Sequence, residues 1–566
     1  MHDLVIRGGL IVDGTGTDGR EGDVAIDGDK IVAVGPALGR GRREVDARGR
    51  LVTPGFVDMH THYDAQVSWD PYLTPSSWHG GTTVIMGNCG VGFAPARPDR
   101  HAWLIGLMEG VEDIPGAAMA EGITWGWESF PEFLDVIAAR PRVLDVVAQV
   151  PHCAVRAYVM GERANEPIAT AEEIAQMAAI VEDGLRAGAL GFSTSRTSIH
   201  KTKDGELVPG THADPAELLA IGDAMVRVGH GVYQNVLEHA DAPRAFAWMR
   251  ALAGRGLRVT FNLNQPDWAP EVWREALRQL EACAADGLDV TAQAAGRSIG
   301  VLMGWELTAH PFAGHPTFVA LARDGRDALV AALRRPEIRA QLLAEPPGDL
   351  GPFGNFVTRS FSRMYPQGDA IDYEPRPDES IGARAARDGR PPLEVAYDAM
   401  MARDGRGLLY FPLFNYAYGD LSMTRELHLH PQVRMGLSDA GAHCGAICDG
   451  GMPTFMLTHW TRDRTRGPRL PLPLIVQRQT RDTAWCYGLR DRGVLAPGYR
   501  ADVNVIDYDR LGFAEPEVAY DLPAGGRRLV QRGRGYVMTV VGGVPIVEDD
   551  AFTGAMPGVL VRGPRG

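Results

Sequence analysis

The stretch GFVDMHTHYD, residues 55–64, places two histidines two positions apart at the end of a short apolar run. Residues 55–59 have the character of a buried strand, and Pro54 separates them from the segment before. Side chains at positions i and i+2 of a strand point to the same side, so we expect His60 and His62 to lie together at its C-terminal end. Two neutral imidazoles on one side can share a metal ion, and two loop histidines with local hydrogen bonds are the alternative.

Short apolar stretches alternate with helical ones from this strand onward. Helical segments begin with recognisable caps, a Thr-x-x-Glu signal at Thr170 and Asp214 before Pro215. About eight strands that alternate with helices predict an α/β fold of the TIM-like (β/α)8 barrel type. The strand candidates cover residues 55–62, 82–88, 146–152, 189–195, 231–237, 257–263, 288–294 and 433–439.

Both ends of the chain differ from this middle part. Residues 1–53 and 495–566 alternate short strands with Gly and Asp-Gly turns, which predicts one small β-sandwich domain built from both termini. The barrel then occupies residues 54–494. The gap before the last strand is too long for one crossover, so we expect an insertion at about residues 297–395, between the seventh and eighth strands. The helix PPLEVAYDAMMARDG is expected to follow that insertion and to lead into the last strand.

Bulk composition narrows the class of protein. The chain has 566 residues and a formal net charge of −14, which argues against nucleic acid and anionic membranes as partners. Six cysteines are too few for a disulfide framework in a chain of this length. The N-terminal residues lack the pattern of a signal peptide, and no apolar run approaches the roughly 20 residues of a membrane span. These features predict a cytoplasmic protein.

Metal-ligand side chains follow several of the predicted strands. His60 and His62 end the first strand, Cys89 follows the second in GNCGVG, His152 ends the third, and Asp439 ends the eighth in LSDAGAH. In barrels of this type the C-terminal ends of the strands meet at one mouth, where the chemistry is performed. The pattern therefore predicts a metal site at that mouth. For Cys89 a small buried residue in a tight Gly loop is the alternative.

TPGFVDMHTHYD, GTTVIMGNCGVGFAP and the late LSDAGAH together resemble the amidohydrolase superfamily, and most closely its N-acyl-D-amino-acid deacylase (D-aminoacylase) branch. The likeness extends over nearly the whole chain, from LVIRGGLIVDGTG to GVLAPGYRADVNVID. It implies a zinc site in which His60 and His62 are ligands and Cys89 is the bridging cysteine. It also implies that Asp439 binds metal and acts as general acid/base.

Two histidines that the resemblance implies are absent. The family has one in a YxTHxR-like stretch at the end of strand five and another in SHxK after strand six, where this chain reads VYQNVLEHAD and VTFNLNQPD. One ion per chain is therefore favoured over two. The aligned positions fall near Asn235 or Val236 and near Asn262 or Asn264, and the substitute ligands or pocket histidines that we consider are His152, His239 and His443.

Other residues near the strand ends are weighed against simpler explanations. Arg196 and Ser195 are candidates for substrate binding, with Arg196 pairing with a substrate carboxylate, and a solvated surface arginine is the alternative. No Gly-x-Ser-x-Gly elbow surrounds the serines, so a serine hydrolase is disfavoured. Cys444 and Cys448 are spaced for metal binding on a helix, but packing explains one such pair better.

The leading prediction is zinc-dependent hydrolysis of a C–N amide bond in an N-acyl (D-)amino acid or a related small amide. A metal-dependent hydrolase of a cyclic amide, carbamate or lactone is one alternative. A catalytically silent or sensing member with an incomplete metal site is another. The expected partner is a small-molecule amide, with no nucleic acid and no membrane, and a homo-oligomer is compatible with the sequence.

Overall fold

A computed structural model describes residues 1–564, and its centre is a set of eight parallel strands. Each strand pairs with the next in chain order, and the last meets the first through a bridge between Thr61 and Ala440. The pairings thus describe a ring. The strands are β1 (Phe56–Asp58), β2 (Gly81–Met86), β3 (Asp145–Ala148, continued by Val150–Pro151), β4 (Gly191–Ser195), β5 (Val232–Val236), β6 (Arg258–Asn262), β7 (Val290–Ala294) and β8 (Val433–Met435).

Helices connect these strands, and their ends follow the predicted caps. Thr170 and Glu173 form a capping box, and the Asp214 side chain accepts from the Ala216 backbone N–H. Among residues 1–564, no helix has the length and apolar character needed to cross a membrane. The helices around the strands are His101–Glu112, Gly116–Gly122, Phe130–Ala138, His152–Met160, Ala171–Arg186, Pro215–Val228, Ala242–Gly254, Val272–Ala285, Ser422–Leu429, Met452–Thr458, Leu472–Gln479 and Arg481–Cys486.

The two ends of the chain share one sheet outside the ring. The strand Leu51–Pro54 pairs antiparallel with Val503–Ile506, so the N-terminal and C-terminal strands are hydrogen-bonded to each other. Their apolar side chains form one common core, because Ile6 and Val24 pack with Val503 and Val540. The sheet contains His2–Ile11, Arg20–Asp27, Lys30–Gly35, Gly41–Asp46, Leu51–Pro54, Val503–Ile506, Tyr536–Val541, Val544–Glu548 and Ala551–Phe552.

One C-terminal segment leaves this sheet, which differs from the predicted sandwich segment 495–566. The strands Glu517–Leu522 and Gly526–Val530 form a hairpin that packs on the barrel instead. Leu529 N–H donates to the Cys444 carbonyl at 2.6 Å, and Leu522 and Leu529 are buried in the barrel core. The apolar residues of the hairpin therefore hold it near the loop after β8. Residues 565 and 566 of the predicted segment lie outside the described residues.

The insertion before β8 has its own core and is longer than predicted. Its strands Ile299–Met303, Tyr365–Pro366 and Leu409–Phe414 form a small antiparallel sheet. The helix Pro392–Gly405, which we expected to lead into the last strand, lies in the insertion, because Val395, Ala396, Tyr397 and Met400 pack in that core. The helix that precedes β8 is Ser422–Leu429. The remaining helices of the insertion are Pro316–Leu321, Arg326–Leu333, Pro336–Ala344, Gly351–Arg359 and Ile381–Asp388.

Candidate metal centre

The two histidines that follow β1 lie on one side of the chain, as their spacing predicts. Thr61, between them, points the other way and donates its hydroxyl to the Ile85 carbonyl at 2.7 Å. His60 and His62 are both buried, and their ring centroids lie 5.5 Å apart. Strand geometry therefore delivers two imidazoles to one enclosed space.

Cys89 reaches this space from the loop after β2. Its backbone has a positive φ of 56°, and Gly87 and Gly90 beside it are left-handed too, which makes a tight turn. The turn places Sγ 3.1 Å from Nε2 of His60. One ligand atom from each of His60, His62 and Cys89 lies within 4.8 Å of the other two. Cys89 can therefore be both a buried residue of a tight glycine loop and a metal ligand, although the sequence alone left these as alternatives.

Asp439 approaches the histidines from the loop after β8. Its Oδ1 lies 3.4 Å from Nε2 of His60 and 3.6 Å from Nε2 of His62. Its backbone φ of 48° is left-handed, and its N–H donates to the His60 carbonyl. The side chain is 14% exposed, whereas those of the two histidines are at most 1% exposed. Asp439 therefore stands between the imidazoles and solvent.

Burial and neighbouring charges together set the protonation of these groups. It lowers the pKa of His60 to about 4 and raises the pKa of the Cys89 thiol to about 12. Burial also opposes ionisation of Asp439, but the neighbouring imidazoles of His62 and His60 outweigh burial and hold the pKa of that carboxyl well below its usual range. Two imidazoles, one thiol and one carboxylate form a donor set that fits zinc better than magnesium or calcium.

Amides occupy the inner side of the barrel next to this group. The Nδ1 of His60 lies 2.7 Å from Oε1 of Gln293 on β7. Gln234 on β5 donates to Oδ1 of Asn262 at 3.0 Å and accepts from the Cys89 backbone N–H at 3.2 Å. Paired amides therefore fill the space at strands five and six.

Asn235 on β5 and Asn264, which follows β6, make their contacts away from the ligand group. Asn235 points toward Met249, with 3.8 Å between Nδ2 and Sδ, and Val236 is apolar. The Oδ1 of Asn264 accepts from Asn415 of the insertion at 3.3 Å.

Among the substitute histidines, His152 and His239 have other partners. Nδ1 of His152 lies 2.8 Å from the Thr194 hydroxyl, and its Nε2 lies 2.7 Å from Glu217. Nε2 of His239 accepts from the Asn264 backbone N–H at 3.0 Å. Both imidazoles thereby act as structural hydrogen-bonding groups.

His443 is different, because it reaches the centre through a glutamate that the sequence did not single out. Its Nε2 lies 3.6 Å from Oε2 of Glu112, and the other oxygen of Glu112 lies 3.4 Å from Nδ1 of His62. A glutamate at the end of a helix has no sequence pattern that would indicate such contacts with two histidines.

His200 is a second residue that sequence reasoning did not place in the site. Its Nδ1 lies 2.9 Å from the Ser195 hydroxyl. Burial, and then the charges of His62 and His443, lower the pKa of His200 to about 3, so its imidazole is neutral. Arg196 donates to the Gly210 carbonyl at 2.7 Å, and that hydrogen bond holds its guanidinium against the protein.

Comparisons with known proteins identify the family of the chain and similar folds. A sequence profile described as "Amidohydrolase family" matches residues 43–547. An uncharacterised protein of Mycobacterium tuberculosis is 30% identical over 98% of this chain and 93% of its own length. The D-aminoacylase of Alcaligenes xylosoxydans xylosoxydans is 26% identical over 99% of this chain and 98% of its own. The solved structure of an N-acyl-D-glutamate deacylase from Bordetella bronchiseptica, complexed with zinc and a phosphonate inhibitor, has a TM-score of 0.65 at 22% identity and covers 99% of this chain and 100% of that one.

Proposed function

Because the chain belongs to the amidohydrolase family, we propose that it is a zinc-dependent hydrolase of the C–N amide bond in an N-acyl (D-)amino acid or a related small amide. The observation that carries the proposal is the buried group of His60, His62 and Cys89, with Asp439 beside both histidines. Three relatives of the chain in Alcaligenes xylosoxydans xylosoxydans support the bond type, since their names are D-aminoacylase, N-acyl-D-aspartate deacylase and N-acyl-D-glutamate deacylase.

His60, His62 and Cys89 would hold the ion, with Asp439 as a further ligand. A bound zinc ion supplies a water of lowered pKa and polarises a carbonyl group. We propose one ion per chain. The support is that amides and Val236 stand where the resemblance implies two more histidines, and that His152 and His239 are engaged elsewhere.

Asp439 is placed to move protons during hydrolysis. Its carboxylate is the most exposed of the four donor groups, so water that enters the mouth reaches it first and can transfer a proton to it. The same carboxylate then delivers the proton to the departing amine. His60 cannot compete as a base while Nδ1 donates to Gln293 and Nε2 faces the ligand group.

Three further expectations remain part of the proposal. The acidic chain, with its net charge of −14, is suited to a small-molecule substrate and not to nucleic acid or an anionic membrane. We propose that the protein works in the cytoplasm, and a homo-oligomer is compatible with it.

A substrate panel with parallel metal analysis tests the function. N-acetyl derivatives of D- and L-amino acids are offered to the zinc-loaded protein together with hydantoins, carbamates and lactones. Release of free amino acid, lost on chelation and regained with zinc, supports the proposal. Cleavage of only the hydantoins, carbamates or lactones would instead support the alternative function, a hydrolase of a cyclic amide, carbamate or lactone. A protein that neither binds zinc nor cleaves any compound would be a silent member.

A further inference from the structure

Glu112 is a buried carboxylate that the hydrolytic steps above do not use. It is the last residue of the helix His101–Glu112 and its side chain is 2% exposed. An isolated buried carboxylate is costly, so partners are required. Among the described residues, the basic groups within 4 Å of it are the imidazoles of His62 and His443. The carboxylate therefore lies between a predicted ligand and a histidine near the mouth.

The contact with His62 involves the ring nitrogen that faces away from the other donors. Nε2 of His62 lies beside Asp439, and Nδ1 is left 3.4 Å from Oε1 of Glu112 without a hydrogen-bond partner. A proton on Nδ1 would point at the carboxylate and leave the lone pair on Nε2 for an ion. Such an outer partner fixes the tautomer and raises the basicity of a metal-binding histidine.

The two histidines of the centre thereby differ in their outer partners. The outer nitrogen of His60 meets the neutral amide of Gln293. The outer nitrogen of His62 faces a carboxylate, which would attract a proton on Nδ1 more strongly than an amide does and would make the imidazole a better donor to the ion. The asymmetry points to His62 as the stronger of the two imidazole ligands.

Glu112 also positions the loop that follows β8. The His443 backbone N–H donates to the Glu112 carbonyl, and His443 has a left-handed φ of 50°. The next residue, Asp113, accepts from Gly445 N–H at 3.2 Å and from the Thr308 hydroxyl at 3.0 Å. One helix end thus fixes the loop that carries both Asp439 and His443.

We infer that Glu112 is a positioning residue of the metal centre, which orients His62 through Nδ1 and holds His443 at the mouth. This inference rests on the proposed function, since it needs an ion at His60, His62 and Cys89.

Zinc affinity, measured by competition with a chromophoric chelator, tests the inference without any substrate. Glu112→Gln should raise the zinc dissociation constant by about 10–100-fold. Glu109→Gln is the matched control, because Glu109 lies on the same helix and contacts Gly116 and Lys203. That control should bind zinc as the wild type does. Cobalt-loaded Glu112→Gln should keep its thiolate charge-transfer absorption, because Cys89 remains a ligand.

The outcomes separate the two proposals. If the wild type binds no zinc, the proposed function fails, and the inference fails with it. If the wild type binds zinc and Glu112→Gln binds it equally well, only the inference is overturned. If Glu112→Gln does not fold, a crystal structure of the zinc-loaded wild type decides. Glu112 within hydrogen-bonding distance of Nδ1 of His62, with zinc on Nε2, supports the inference, and zinc on Nδ1 overturns it.

Discussion

Nδ1 of His60 lies 2.7 Å from Oε1 of Gln293, although 233 positions separate the two residues in the sequence. Burial keeps this imidazole neutral, so one nitrogen carries a proton and the other a lone pair. The amide oxygen can only accept, which assigns the proton to Nδ1. Nε2 is then free to bind an ion beside Cys89, and a residue on β7 sets the tautomer of a residue after β1.

Gln293→Met should weaken zinc binding by about 10–100-fold, because it keeps the side-chain volume and removes the acceptor for His60. Chelator competition measures the change. Gln479→Met is a control with the same substitution at another buried position. The amide atoms of Gln479 have no hydrogen-bond partner, so this variant should leave zinc binding unchanged. Equal zinc affinity in Gln293→Met and the control would show that the amide does not orient His60.

The purified protein should carry about one zinc ion per chain. His60, His62 and Cys89 provide one compact group of donors, whereas Gln234 and Asn262 bond to each other where further histidines were expected. Elemental analysis after dialysis measures the ratio. Two firmly held ions per chain would mean that other side chains complete a second site.

Asp439→Asn should lower hydrolysis by about 10²–10⁴-fold while the protein retains much of its zinc, because asparagine cannot accept the proton of water. Cys89→Ala should instead lower the affinity for zinc, and its activity should fall because the ion is lost. Activity and zinc content, measured on both variants, distinguish the roles. An Asp439→Asn protein with full zinc and a near-normal rate would remove Asp439 from the mechanism.

The pH dependence of stability should reveal the ion pair between Glu374 of the insertion and Arg464. Glu374 contacts Arg464 through both oxygens, at 2.8 and 3.0 Å, and both side chains are 2% exposed. Burial raises the pKa of Glu374, but hydrogen bonds from His459 and Arg464 outweigh burial and lower it to about 2. A lowered carboxyl pKa stabilises the fold above the unfolded value near 4.5, and this stabilisation is lost as pH falls toward 2.

Glu374→Gln should therefore lower the free energy of unfolding by about 3–5 kcal/mol at pH 7, since it leaves Arg464 buried without its carboxylate. The difference from the wild type should narrow between pH 5 and pH 2, as measured by denaturant unfolding. A difference that stays constant over this range would show that the pair does not titrate with folding.

Deletion of residues 1–50 should yield insoluble protein. The strand Val503–Ile506 would keep Leu51–Pro54 as a neighbour, but the next strands of the sheet would be gone and its core would open. Expression followed by separation of soluble and pelleted protein is the measurement. A soluble, active truncation would count against the shared β-domain.

The strands of the barrel could be predicted because each is marked by a short apolar stretch of consecutive residues. Every predicted strand of the ring overlaps an observed one, and the caps at Thr170 and Asp214 are observed as well. The family resemblance rests on the His-Thr-His sequence at 60–62, on GNCG and on LSDAGAH. The comparisons confirm this resemblance and the class of enzyme, a hydrolase of C–N bonds other than peptide bonds. The expectation for the helix Pro392–Gly405 was wrong, because its apolar side packs in the insertion and local sequence does not show which core a helix joins.

By itself, the sequence determined the α/β pattern and the residues that end the strands, since a two-residue period puts His60 and His62 on one side whatever surrounds them. Only the tertiary structure decided their outer partners. Gln293, Gln234 and Glu112 come from separate segments, and no local period marks a side chain whose partner is remote in sequence. The tertiary structure also engages His152 with Glu217, because a buried imidazole takes whichever partner the packing brings within hydrogen-bonding distance.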